Sequence, residues 1–177
     1  MVEIRFERPE DIDDVRVLND KAFGQPEEGR IVDKLRISCN GILSLVAVSN
    51  NQIVGHIMFS PVTIEMQGSI IEGMGLAPMS VSPELQNQGI GTKLVKEGLR
   101  CIKNTTCPFV TVLGHEKYYP RFGFQRASKY GLKSQWEGVP DDVFMVNILD
   151  ESLMKTVSGI VKYRDEFNEG EQTTLAI

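Results

Sequence analysis

The chain has 177 residues, enough for one domain with a substantial core, and its 41% hydrophobic and 24% charged residues are the balance of a soluble globular protein. Nineteen Lys and Arg against 24 Asp and Glu leave a net charge of −5, which argues against nucleic acid as the main partner and mildly favours a cationic, amine-bearing one. No apolar run approaches the ~20 residues of a membrane span. Met1–Arg8 lacks a signal-peptide pattern, and Cys39, Cys101 and Cys107, at spacings that fit no metal motif, read as free thiols in a reducing cytoplasm.

In chain order, Val2–Phe6 alternates like an edge strand, and Pro9-Glu10-Asp11 opens a helix whose stripe is Ile12, Val15, Leu18 and Ala22. Gly24-Gln25-Pro26 breaks it, and Glu28–Ile37 follows as a second helix with Ile31, Val32 and Leu35 on one face. Leu43–Val48 and Ile53–Met66 form a hairpin that turns at Asn50-Asn51. Ile70–Val81 is a long strand interrupted by Gly73 and Gly75. Gly89–Lys103 carries the clearest helical stripe, Ile90, Leu94, Val95, Leu99 and Ile102, with Lys93, Lys96, Glu97 and Arg100 opposite. Phe109–Leu113 is apolar and β-branched, the pattern of a buried strand. A short helix around Tyr118 and strands over Phe124–Tyr130 and Val143–Leu149 complete one domain over residues 1–167. Residues 168–177 read as a polar tail. No internal repeat is present.

The chemistry concentrates where the long strand ends. An apolar run closes at Pro83, a polar turn follows, and two glycines flank Ile90 at the start of a helix. Such a turn leaves several N–H groups unpaired at the positive end of a helix dipole, a seat for phosphate or pyrophosphate, and glycines let the backbone approach the anion. It is not a P-loop, because Gln86 stands where the first Gly is needed and Thr92-Lys93 is the wrong order. Nor is it a dinucleotide fingerprint, since Leu94 follows Gly89 and Gly91 at the third glycine position, and Pro78 does the same after Gly73 and Gly75. Gln86, Gly89 and Gly91 spell Q-x-x-G-x-G, preceded by Val81-Ser82-Pro83. This resembles the coenzyme A pyrophosphate loop of the GNAT superfamily of acyl-CoA-dependent N-acyltransferases. Downstream, Tyr118-Tyr119 and Gly123-Phe124 are similar to the [FY]-Y-x-x-x-G-F segment of the same family. The resemblance covers roughly Glu3 to Leu149 and looks most like an uncharacterised bacterial subgroup.

The resemblance implies an α+β (α/β) fold, a central mixed but mostly antiparallel sheet flanked by helices and splayed between the strand holding Leu76–Val81 and that holding Phe109–Leu113. Acetyl-CoA as cosubstrate would enter the wedge, its pantetheine pairing with the backbone of Met79 and Val81 as a pseudo-strand. The loop of Gln86, Asn87, Gln88, Gly89, Ile90, Gly91 and Thr92 would hold the pyrophosphate, and an N–H near Ser80 or Val81 would polarise the thioester carbonyl. Tyr119 maps to the acid that protonates the departing thiolate; Glu72 and His115 are the candidate bases. His56 and Tyr118 are expected to be structural, although Pro120 could rotate the tyrosine pair and exchange the roles of Tyr118 and Tyr119, and no metal is implied. Cys101 and Cys107 fall away from the wedge, which favours direct attack by a primary amine over an acyl-cysteine intermediate. The acceptor, a small molecule or a protein or peptide amine, is expected against Phe23–Arg30, Ser60–Met66 and Gln135–Asp142, with Trp136 as an aromatic candidate. The resemblance leaves room for a homodimer, and no membrane partner is expected. A non-catalytic acyl-CoA sensor or structural GNAT-like module, and a nucleotide-binding enzyme, are the competing functions.

Overall fold

A computed structural model describes residues 1–66 and 68–168, so the expected tail lies outside the described residues apart from Asn168. In chain order they form β1 (Glu3–Phe6), α1 (Ile12–Phe23), α2 (Glu27–Ser38), β2 (Leu43–Ser49), β3 (Gln52–Met66), β4 (Ser69–Val81), α3 (Ile90–Lys103), β5 (Phe109–Leu113), β6 (Gln125–Arg126), β7 (Leu132–Ser134), β8 (Phe144–Ile148), α4 (Glu151–Met154) and β9 (Gly159–Lys162). The main sheet runs β1-β2-β3-β4-β5-β8-β6, and all its pairs are antiparallel except β4 with β5.

The β2–β3 hairpin turns where expected. Asn50 and Asn51 both take positive φ, 49° and 60°, the pair of left-handed residues that a tight two-residue hairpin demands and that asparagine tolerates. Along β3 and β4 the register slips between Ile57 and Phe59, which face Met79 and Leu76, so three steps on β4 oppose two on β3. This bulge, at Ala77 and Pro78, bends β4. On its other side β4 pairs with β5 only from Met74 to Leu76, against Val110 to Val112. Beyond Leu76, β4 continues to Val81 without β5, and the expected wedge opens there.

Two apolar layers close the sheet. On one face Val15, Val32 and Leu35 of α1 and α2 pack against Val46, Met58 and Val62. On the other, the stripe Ile90, Leu94, Val95, Leu99 and Ile102 of α3 is buried against Ile57, Phe59 and Leu76. Helix α3 comes close enough that a Cβ at Gly98 would lie 2.4 Å from the Phe59 ring.

Three expectations need correction. Gly73 and Gly75 do not interrupt β4: a Cβ at either would lie 2.5 Å from the ring of Phe109 or Tyr163, so the missing side chains make room for aromatic rings. The strand expected over Phe124–Tyr130 shrinks to Gln125–Arg126, because Ala127–Tyr130 winds into a 3-10 turn. Two strands were not foreseen: β7 and β9 pair in parallel, and β9 also extends β3 at Thr63 and Ile64.

His56 is structural, as expected. Its fully buried ring lies between Asn19 Nδ2, 3.3 Å from Nδ1, and Ser44 Oγ, 2.9 Å from Nε2. Burial first, and the nearby Arg36 charge second, push its pKa down to about 3. The unfolded chain binds this proton near pH 6.5 and the folded chain does not, so the resulting stability is complete above pH 6.5 and is lost as pH falls toward 3. Urea denaturation should show this one group withdrawing about 2–3 kcal/mol between pH 6.5 and 4.5. In His56→Gln that part of the pH dependence should vanish, and an unchanged slope would overturn the assignment.

Candidate active site

The loop after β4 is built to leave donors free. Gly89 caps α3 at φ 83°, with Asn87 also left-handed at φ 61°, and no side chain caps the helix. The first bond into α3 is Lys93 N–H to Gly89 O at 3.1 Å, so the N–H groups of Ile90, Gly91 and Thr92 have no intrahelical acceptor. The loop itself is tied down. Gln86 Nε2 donates to Val81 O at 3.2 Å and Gln88 Nε2 to Glu84 O at 3.3 Å. Lys21 of α1 reaches Glu84 at 2.5 Å and, by that bond first, holds its carboxyl down to about 2.

A cavity of about 440 Å³ lies where this loop meets the open end of β4. Met79, Ser80, Val81, Gln86, Asn87, Gly89, Ile90, Gly91 and Thr92 all line it. Gln88 does not, its side chain being turned back onto Glu84. The strand's polarity follows from one bond. Ser82 N–H donates to Val54 O at 2.9 Å, and the antiparallel alternation then turns the backbone of Ser80 toward β3 and that of Met79 and Val81 toward the open edge. Of the two N–H groups considered for the carbonyl, Ser80's is therefore spent on the sheet and Val81's is not.

The tyrosine pair divides between wall and core, with ring centroids 5.0 Å apart. Tyr118 lines the cavity, and a Cβ on Gly91 would lie 3.0 Å from its hydroxyl, so that hydroxyl stands at the start of α3. The Arg121 guanidinium lies 4.3 Å above the Tyr118 ring, with Nε donating to Tyr118 O at 2.9 Å. Tyr119 does not line the cavity. Its ring is fully buried, edge-on to Phe124 at 5.7 Å, and its hydroxyl is buried without a partner. Burial, with the two neighbouring tyrosines second, pushes that phenol well above its ordinary range.

Of the candidate bases, exposed His115 stands on the cavity rim. Glu72 does not. It faces Thr63 near the start of β4 and lines a separate cleft with Cys101 and Cys107. Seven residues of strand put it roughly 23 Å from Met79, too far to receive the amine's proton. The sequence places Glu72 on the right strand but says nothing of how far along it the wedge begins. Both thiols of that cleft are raised, chiefly by burial. Among the described residues no His, Cys, Asp and Glu cluster is placed to hold a metal ion.

A family model for the GNAT acetyltransferase domain matches residues 3–127. The chain belongs to the GNAT acetyltransferase family. The uncharacterized N-acetyltransferase YhbS of Escherichia coli K12 is 33% identical over 166 residues, 93% of this chain and 98% of that one. YjhQ of the same strain is 38% identical over 119 residues, 65% of each chain. Among solved structures, E. coli YhbS in complex with CoA overlays with TM-score 0.88 at 32% identity, covering 99% of this chain and 94% of that one. A GNAT acetyltransferase from Brucella melitensis in complex with acetyl-CoA overlays with TM-score 0.76 at 34% identity, covering 94% and 98%.

This GNAT chain is thus an acetyl-CoA-dependent acyltransferase with the family's fold, and its site includes residues that sequence reasoning left out. Ala22 and Phe23, at the end of α1, close one wall of the cavity; only Phe23 belongs to a segment expected to meet the acceptor. Leu85, Tyr118 and Arg121 complete it. Arg121 was legible only as the residue after Tyr118-Tyr119-Pro120, and its stacking on Tyr118 is a product of the fold. Trp136 lies elsewhere, 5.1 Å from the Tyr163 ring and donating to Asn168 Oδ1 at 3.2 Å. No helix among the described residues is long and apolar enough to cross a membrane.

Proposed function

We propose that the protein moves the acetyl group of acetyl-CoA onto a primary amine by direct attack, in the cytoplasm, as one domain over residues 1–167. The observation that carries this reading is the single cavity shared by an uncapped helix start and the open edge of β4. The N–H groups of Ile90, Gly91 and Thr92 suit the pyrophosphate, and Arg121 supplies a cation beside them. The Met79 backbone and the Val81 N–H, which face the open edge, suit the pantetheine amides and the thioester carbonyl.

In the reaction the amine nitrogen bonds to the carbonyl carbon as the C–S bond breaks, and the electron pair leaves on sulfur. The resemblance assigns the sulfur's proton to Tyr119, whose hydroxyl is protonated and unpaired but lies behind the cavity wall that Tyr118 forms, so that wall must open for the transfer. The nitrogen's surplus proton passes to water at His115, which stands on the cavity rim. The products are the N-acetyl amine and CoA thiol, and Tyr119 recovers its proton from water.

The first test is binding. Acetyl-CoA at about 100 times its Kd should add roughly 2.7 kcal/mol of stability by mass action, read as a rise in thermal midpoint. The absence of any shift at millimolar acetyl-CoA would sink the reading, and a shift with ATP or NAD instead would favour a nucleotide enzyme. Thiol release over a panel of amines then separates transferase from sensor, since tight binding with no turnover favours the sensor.

A further inference from the structure

One ring stands between the cavity and the buried Tyr119 hydroxyl. Tyr118 lines the cavity and Tyr119 does not, and the two rings meet edge-on at 84° with centroids 5.0 Å apart. The same ring reaches the helix start. A Cβ on Gly91 would lie 3.0 Å from the Tyr118 hydroxyl, which therefore stands beside the uncapped first turn of α3. Tyr118 thus borders the anion seat on one side and Tyr119 on the other. Buried polar atoms are almost always paired, yet the Tyr119 hydroxyl has no partner in the chain. A turn of the Tyr118 ring would give it one from the cavity.

What holds the ring in place is Arg121. Its guanidinium carbon lies 4.3 Å from the Tyr118 ring centroid and 5.7 Å from that of Phe122, and Nε donates to Tyr118 O at 2.9 Å. Among the described residues that carbonyl is its one hydrogen-bond acceptor. The side chain is exposed and lines the cavity with Tyr118. The backbone beneath is pinned, because Tyr118 N–H donates to His115 O at 3.0 Å and Gly123 N–H to Pro120 O at 3.1 Å. The motion this geometry allows is therefore rotation of the Tyr118 side chain, not displacement of its loop. A guanidinium over an exposed ring is held weakly, whereas a bidentate, charge-assisted pair with phosphate is strong. A diphosphate at the start of α3 outcompetes the ring for Arg121.

We propose that Tyr118 is a gate over Tyr119 and Arg121 its latch, released when the cofactor's diphosphate draws the guanidinium off the ring. This rests on the acetyl-transfer reading above and adds an order of events to it. The phosphates bind, the ring turns, and the acid meets the sulfur only when a complete cofactor is seated. Arg121 and Tyr118 act here as positioning residues, and the gate itself makes and breaks no covalent bond. Binding remote from the thioester is thereby used in the chemical step, so a donor without phosphates should lose kcat and not affinity alone.

The experiment reads Tyr119 directly. The protein is treated with tetranitromethane with and without saturating ADP, which carries a diphosphate but no pantetheine, and nitration of each tyrosine is read by peptide mass spectrometry. Calorimetry confirms that ADP is bound. In the wild type, ADP should raise the rate of Tyr119 nitration about fivefold or more. In Arg121→Ala, Tyr119 should react without ADP as fast as the wild type does with it, and ADP should add nothing. A kinetic arm uses S-acetylpantetheine over the amine panel. ADP added in trans should raise its kcat about tenfold in the wild type and have no such effect in Arg121→Ala. If Arg121 only binds phosphate, its substitution raises the acetyl-CoA KM and leaves S-acetylpantetheine kinetics and Tyr119 nitration as in the wild type, which overturns the latch. ADP that does not bind, or that binds and leaves Tyr119 nitration unchanged, overturns the gate. Tyr119 nitration that responds to ADP while acetyl-CoA acetylates no amine overturns the transfer reading and leaves the gate standing.

Discussion

Tyr119→Phe should lower kcat by about 10²–10⁴-fold, the range that general-acid help supplies, while acetyl-CoA affinity stays within a few-fold of wild type. The hydroxyl acts on sulfur only as the C–S bond breaks, so its loss falls on the transition state and not on the ground-state complex. Stability should hardly change, because the buried hydroxyl has no partner whose loss would be felt. Burial keeps this phenol above its ordinary range, so it remains an acid across the working pH of the enzyme, and its ionisation should give no alkaline fall in kcat near pH 10. Tyr118→Phe is the control. Its hydroxyl stands beside Gly91 at the helix start, so its removal should alter cofactor affinity modestly and kcat little. Steady-state thiol release and calorimetric binding on both variants decide the matter. If Tyr118 proves critical and Tyr119 dispensable, the acid is the tyrosine on the cavity wall. If neither matters, water protonates the sulfur.

The features readable from the sequence were those fixed by local pattern. Five apolar residues at helical spacing placed α3 almost to the residue, and five consecutive apolar or β-branched residues gave β5 its observed bounds. Asn50-Asn51 located the hairpin because so few residues accept left-handed φ. What escaped depended on distant neighbours. β7 and β9, three and four residues long, are held by each other and by β3 and carry no alternation of their own. Gly73 and Gly75 read as breaks because Phe109 and Tyr163, the rings they admit, lie far along the chain. The same limit governs the site. The loop after β4 is contiguous, so its residues could be read together as one candidate. The other cavity walls come from separate elements: Glu72 lies on the strand that ends at the cavity but far from that end, and Ala22 and Phe23 reach the cavity only because α1 packs against β3 and β4.

Gly91→Val should abolish useful cofactor affinity while leaving the fold intact, and its contrast with Gly89 sharpens the test. Gly91 has ordinary helical geometry, so a valine there costs the helix little, whereas its Cβ would fall 3.0 Å from the Tyr118 hydroxyl and 3.6 Å from Met79 Cε. The added branches would fill the cavity where the N–H groups of the first turn emerge. Loss of one or two hydrogen bonds to a charged phosphate, at about 1.5–3 kcal/mol each, corresponds to a fall in affinity on the order of 10²-fold. Gly89 behaves differently. A Cβ there meets nothing within 4 Å, but φ is 83°, so Gly89→Val should lose roughly 1–2 kcal/mol of stability through backbone strain and should shift the loop less directly. Calorimetry with acetyl-CoA and urea denaturation on the two variants should therefore separate: affinity lost with stability kept at position 91, and stability lost first at position 89. A well-folded Gly91→Val protein that binds acetyl-CoA as the wild type does would reduce this glycine turn to a connection between β4 and α3.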